Sequence, residues 1–173
     1  MFEQEGPPRQ ETLTWQDVDA LIDHLLLQME GPFDALLIIT RGGIVPGGLL
    51  CAALDIRHVL TASVEFSADL SRQARLFAWP TFLQFPEEAL LEGKRILVVD
   101  DVWRGGRTIV TVCRRVEAAG GKPETAVLHY KPKESLFPHL RLDYFAAVTD
   151  RWIVYPWELD RDIRGTRLRI EEE

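Results

Sequence analysis

Two adjacent carboxylates, Asp100 and Asp101, close an apolar run of four residues, Ile96–Val99, and a loop of glycine and arginine follows them. In that loop Gly105 and Gly106 let the backbone turn tightly and approach a ligand. A helix opening just after the loop points free N–H groups and the positive end of its dipole at the same spot. This suits an anion, a phosphate above all, and Arg104, Arg107 and Thr108 add charge and a hydroxyl. The carboxylates do the opposite work, because they accept hydrogen bonds from hydroxyls and hold Mg2+. A ligand with both a phosphate and vicinal hydroxyls satisfies both halves, and a ribose 5-phosphate is the simplest. The same residues also fit a plain strand-to-helix turn with solvated acids. No G-x-x-x-x-G-K-[ST] and no G-x-G-x-x-G occurs, which argues against an ordinary ATPase or dehydrogenase.

A second stretch, "ITRGGIVPGGLL", repeats the anion logic. Thr40 ends an apolar run, Arg41 offers a bidentate partner for phosphate, and Gly42 and Gly43 bare their N–H groups. Alone it also reads as a harmless turn. Two such loops on one sheet edge are harder to dismiss. Lys131 in "LHYKPKES" and Trp152 and Ile153 in "TDRWIVYPWE" are chemically ambiguous, since a solvated lysine and a packing tryptophan have the same letters.

These residues need elements to position them. "DALLIIT" (34–40), "HVLTASVEF" (58–66), "KRILVVD" (94–100), "TAVLHYK" (125–131) and "YFAAVT" (144–149) read as strands. "TWQDVDALIDHLLLQME" reads as a helix with Thr14 or Thr12 as cap, Asp17 closing a weak capping box, and Gly31-Pro32 as its stop. "GLLCAALD" (48–55) and residues 106–119 are further helices, the latter ended by Gly120-Gly121. Strands alternating with helices predict an α/β fold with a mainly parallel central sheet flanked by helices. In such sheets ligands bind beyond the carboxyl ends of the strands, where both loops lie. Residues 1–12 read as a flexible arm, 67–93 as an excursion with one or two short strands, and the tail after Pro156 as holding a short helix.

"ILVVDDVWRGGRT" resembles the phosphoribosyl pyrophosphate (PRPP) motif of the type I phosphoribosyltransferases. "ITRGGIVPGGLL" resembles that family's pyrophosphate loop, and the two C-terminal stretches resemble the base-binding end of its hypoxanthine, guanine and xanthine branch. The resemblance runs from about residue 34 to 158. It implies the family's fold with a small hood region, in one domain over 1–173, with the hood and tail at about 131–173. It implies a pentosyltransferase of purine salvage and nucleotide metabolism. That enzyme joins PRPP to a 6-oxopurine, with Mg2+, to give a nucleoside 5-monophosphate and pyrophosphate. Catalysis is then expected from Asp100, Asp101 and Arg41. PRPP binding is expected from Thr40, Arg41, Gly42, Gly43, Asp100, Asp101, Arg104, Gly105, Gly106, Arg107 and Thr108, and Asp101 would also help hold the metal. Lys131 would reach the exocyclic oxygen of the base, with Trp152 and Ile153 beside it. The 67–93 segment corresponds to a loop that closes over PRPP, with Arg72, Gln73 and Arg75 as phosphate contacts. A homo-oligomer, dimer or tetramer, is usual in the family.

One departure stands out. Where the family's loop carries an acid, the expected acid/base group at the purine N7, this chain has Arg104, which does not deprotonate. Gly105 and Arg107 also replace a usual threonine and glycine. Some family members lack the acid, so a non-catalytic PRPP- or nucleotide-binding regulatory protein is the alternative.

Composition bounds the rest. A net charge of −7 over 173 residues argues against general nucleic-acid binding. Cys51 and Cys113 lie far apart in apolar stretches and read as free thiols in a reducing cytoplasm. No apolar run approaches the roughly 18 residues of a membrane span, and the polar N-terminus is unlike a signal peptide. None of the histidines has a partner at metal spacing.

Overall fold

The computed structural model describes residues 10–66 and 79–158. Continuous apolar runs become the centre of the sheet. β2 (Ala35–Ile39) is buried at every position, and Ile96–Val99 of β5 (Arg95–Trp103) are wholly inaccessible. Strands buried on both faces need such runs. With β3 (Val59–Phe66), β4 (Pro80–Gln84), β6 (Lys122–Tyr130) and β7 (Tyr144–Val148) they form a six-stranded sheet of order β4-β3-β2-β5-β6-β7. All pairs are parallel except β3–β4. From β2 the chain moves outward through α2 (Ile44–Ala53) to β3, and from β5 it moves the opposite way through α3 (Arg107–Ala118) to β6. The order therefore reverses between β2 and β5. A crevice opens beyond the carboxyl ends of these two strands.

These elements belong to a compact unit spanning Ala20–Asp150. A second unit is built from the described residues before Ala20 and after Asp150. In it β1 (Gln10–Thr12) pairs parallel with β8 (Trp152–Val154). Residues 10–12, expected within a loose arm, are thus strand. α1 (Trp15–Leu26) starts at the capping box foreseen in the sequence. Asp17 N donates to Thr14 Oγ1 at 3.2 Å and Thr14 N donates to Asp17 Oδ2 at 2.8 Å.

Two boundaries depart clearly from expectation. α2 begins at Ile44, well before Gly48, because Pro46 falls in the first turn where its missing N–H is harmless. Gly47 lies inside the helix, where a Cβ would come within 2.7 Å of Ile38. β5 continues past Asp100 to Trp103, paired Val102 with His129 and Trp103 with Tyr130. The 67–93 excursion contributes one short strand, β4, as expected, while Arg72, Gln73 and Arg75, and all but the first two residues of the tail after Pro156 in which a short helix was expected, lie outside the described residues. Cys51 and Cys113 are both free.

At the opposite edge of the sheet Arg95 anchors β5. Its guanidinium lies 4.2 Å over the Phe33 ring and grips Glu124 with two nitrogens, Nη2 to Oε2 at 2.9 Å. Tyr144 Oη donates to the same carboxylate at 2.6 Å. The Arg95 hydrogen bond holds Glu124 below its usual 4.5. Burial, and then Glu124 itself, pushes the Tyr144 phenol up to about 12. Glu124→Gln is expected to lower stability by about 1–3 kcal/mol at neutral pH, read from urea midpoints. A lowered folded value gives stability that is present above 4.5 and lost as pH falls through the folded value. A raised one gives stability that is present below 10 and lost as pH climbs to about 12. The gap between wild type and variant should therefore narrow at both extremes. A gap constant across pH would show that the network adds no linkage.

Candidate active site

Both candidate loops leave neighbouring parallel strands at the same edge. The first follows β2. Thr40 N and Oγ1 both donate to Ala62 O, at 2.9 and 3.3 Å, fixing the strand end against β3. The Thr40–Arg41 peptide is cis, and Arg41 is exposed. Gly43 caps α2 and donates its N–H to Ile39 O at 2.8 Å. Gly42 lies directly against the acid pair. A Cβ there would fall 2.5 Å from Asp100 Oδ1 and 2.6 Å from Asp101 Oδ1. Glycine at this one place lets the first loop meet the two carboxylates.

Asp101 N donates to Asp100 Oδ1 at 3.0 Å. Burial, and then the charge of Asp101, hold the Asp100 carboxyl well above the usual range. Like charges this close resist joint ionisation, so the pair is poised for donors or a cation to relieve it.

The second loop turns at Gly106, whose φ of 80° is left-handed and whose missing Cβ leaves room for the Trp103 indole. α3 starts at the next residue, its N-terminus facing the loop. A cleft of about 330 Å³ opens here, lined by Asp100, Val102, Arg104, Gly105, Thr108 and Leu136 among others. Arg107 lies with its guanidinium 4.1 Å over the Phe66 ring at the end of β3. Asp100 and the anion loop thus line one cleft, and Asp101 adjoins Asp100 at its side, the combination a phosphorylated, hydroxylated ligand requires.

Lys131 is not a solvated lysine. It follows β6 and is 5% exposed, with its N–H donated to Trp103 O at 2.9 Å. Its Nζ lies 3.1 Å from Glu134 Oε1, and Glu134 Oε2 lies 3.7 Å from Arg104 Nε. Glu134 was not singled out in the sequence. The signal available was its i+3 spacing from Lys131 in a short 3-10 turn, Pro132–Glu134. In the other unit Trp152 is half-exposed and Ile153 buried on β8, close in sequence to the stacked rings of Tyr155 and Trp157, 4.6 Å apart.

Among the described residues no cluster of three or more His, Cys, Asp or Glu could enclose a metal. Mg2+ is commonly held by one or two carboxylates and the phosphates of a substrate. Asp101, with Asp100 adjoining it, fits such a role. No helix among the described residues is long and apolar enough to cross a membrane.

Comparison with known proteins agrees with this geometry. The phosphoribosyl transferase domain model matches residues 10–164. Xanthine-guanine phosphoribosyltransferase of Roseobacter denitrificans is 31% identical over 75% of this chain and 71% of its own length. The enzyme of the same name from Gluconobacter oxydans is 29% identical over 85% and 83%. The crystal structure of a purine phosphoribosyltransferase from Pyrococcus horikoshii superposes with a TM-score of 0.68 at 28% identity, covering 86% of this chain and 93% of that one. With the acid pair and two anion loops at the switch point of the sheet, and a family match over nearly the whole length, the chain belongs to the phosphoribosyl transferase domain family.

Proposed function

We propose that this chain transfers the 5-phosphoribosyl group of PRPP to a 6-oxopurine base, giving a nucleoside 5-monophosphate and pyrophosphate. The observation that carries the reading is the meeting of Gly42 with Asp100 and Asp101 beside the Arg104–Thr108 loop. The named relatives, xanthine-guanine phosphoribosyltransferases, point to the same base class.

In this reading Arg104, Gly105, Gly106, Arg107 and Thr108 cradle the 5-phosphate with backbone N–H groups and charge. Asp100 and Asp101 accept from the ribose hydroxyls. Thr40, Arg41, Gly42 and Gly43 receive the pyrophosphate, where the Arg41 guanidinium stabilises the charge that builds on the leaving group. When bound, Mg2+ supplies further neutralisation of that charge, and Asp101 is the residue to help hold it. Lys131 reaches the exocyclic oxygen of the base, with Trp152 and Ile153 lying by the ring. A homo-oligomer and a cytoplasmic setting belong to the same proposal. Exposed Trp79 and Leu83 at the β4 edge favour the first and the two free cysteines the second.

Calorimetry with PRPP and Mg2+, followed by pyrophosphate release with hypoxanthine, guanine, xanthine and adenine, tests it. Binding is expected, with release for at least one 6-oxopurine. Light scattering on the same sample reads the assembly. Binding without release for any base would make the chain a non-catalytic PRPP binder instead.

A further inference from the structure

Joining a sugar carbon to a ring nitrogen of a neutral purine obliges the ring to lose a proton. Something near the base must take it. Arg104 cannot. Asp100 and Asp101 lie under Gly42, on the side assigned above to the ribose. Another carboxylate, that of Glu134, reaches this loop at Arg104.

Its placement is built. Lys131 N donates to Trp103 O at 2.9 Å, and Leu136 N donates to Gly105 O at 3.1 Å. Between them Trp103 Nε1 donates to Ser135 Oγ at 3.1 Å. The 131–136 segment is therefore stitched along the 103–105 loop, with Glu134 at its middle. One carboxylate oxygen lies 3.1 Å from Lys131 Nζ and the other 3.7 Å from Arg104 Nε. Lys133, the neighbouring cation, is engaged elsewhere, 3.2 Å from Asp150 Oδ2. The Glu134 side chain is 45% exposed, so it can meet a ligand and pass a proton to solvent. Lys131, the partner that fixes it, is the residue assigned to the base.

We infer that Glu134 accepts the proton released by the purine base, with Lys131 and Arg104 orienting its carboxylate. The inference rests on the transferase reading above. In the step, the bond from the sugar carbon to pyrophosphate breaks and its electron pair leaves with pyrophosphate. A ring nitrogen supplies the pair for the new bond. The N–H proton of the ring passes to Glu134 and from there to water. The arginine in the loop then has a purpose: it replaces an acid by holding one presented from the neighbouring segment.

The test compares wild type, Glu134→Gln and Glu134→Asp by single-turnover rates from acid to neutral pH, with the calorimetric Kd for PRPP as a check of fold and phosphate site. Glu134→Gln should lower the chemical rate about 10²-fold, lose the acid limb of the pH profile and keep the PRPP Kd. Glu134→Asp, which retains a carboxylate, should recover much of the rate. An unchanged rate and profile in Glu134→Gln would overturn the inference. So would a raised KM for the base alone, or a slower rate with the acid limb intact, since either would mean that Glu134 merely holds Lys131. A wild type inactive with every base would overturn the transferase reading and this inference with it. An active wild type matched by Glu134→Gln would overturn this inference only.

Discussion

Asp100→Asn should reduce kcat/KM for PRPP by about 10²–10⁴-fold while leaving the fold at least as stable. A hydrogen bond to a charged group contributes about 1.5–3 kcal/mol, and each 1.4 kcal/mol is about a factor of ten. Losing two such bonds to the ribose hydroxyls, or one bond and its effect on Asp101, gives that range. The stability expectation follows from the carboxyl's surroundings. Burial, and then Asp101, raise Asp100 well above its ordinary 3.8. A raised folded value means that the contribution to stability is full below 3.8 and is lost as pH rises through the folded value. At neutral pH the crowded, buried carboxyl therefore opposes folding, and an amide of the same shape removes that penalty. Calorimetric Tm and steady-state kinetics on one preparation settle both halves. A Tm lowered by several degrees would mean that the carboxylate holds the loop together, and an unaltered kcat/KM would remove Asp100 from the sugar site.

Such a trade of stability for function explains which parts of the molecule were legible in the sequence. Buried parallel strands announce themselves as apolar runs, so β2 and the core of β5 were plain. The crevice followed from the fold class, because both loops leave strand ends. β1 and β8 were not legible. Each has three residues, and they pair across the full length of the chain, so neither shows a period. Trp103 sat among charged and glycine residues and looked like loop. It is 3% exposed because its N–H finds Ser135 and its ring meets Tyr130 edge-on at 6.2 Å. Lys131 was ambiguous for the same kind of reason. A lysine in a polar run reads as solvated, and its burial depends on a partner three residues on and on a backbone bond to Trp103. Glu134 carried no pattern of its own, since a lone acid between polar residues is the commonest surface text. What the sequence could not express was adjacency between segments thirty residues apart.

Gly42 and Gly43 supply the sharpest separation of fold from function. A methyl group added at Gly43 would meet Val99 O and lie 2.8 Å from Ile39 O, both backbone atoms of central strands. Neither can yield without disturbing the sheet, so Gly43→Ala should destabilise by about 1–3 kcal/mol. The atoms nearest a methyl group at Gly42 are instead side-chain atoms, the carboxyl groups of Asp100 and Asp101. Carboxylates can rotate away, so Gly42→Ala should unfold at nearly the wild-type urea midpoint. The rotation displaces the acceptors proposed for the ribose, and two displaced charged bonds weaken PRPP binding by about 10²–10⁴-fold. Neighbouring glycines with the same substitution should thus fail differently, one in denaturant and the other in the calorimeter. Wild-type PRPP affinity in Gly42→Ala would mean that the acid pair tolerates the crowding or does not touch the sugar. Asp100→Asn divides those two outcomes, because it removes the acceptor without moving the loop.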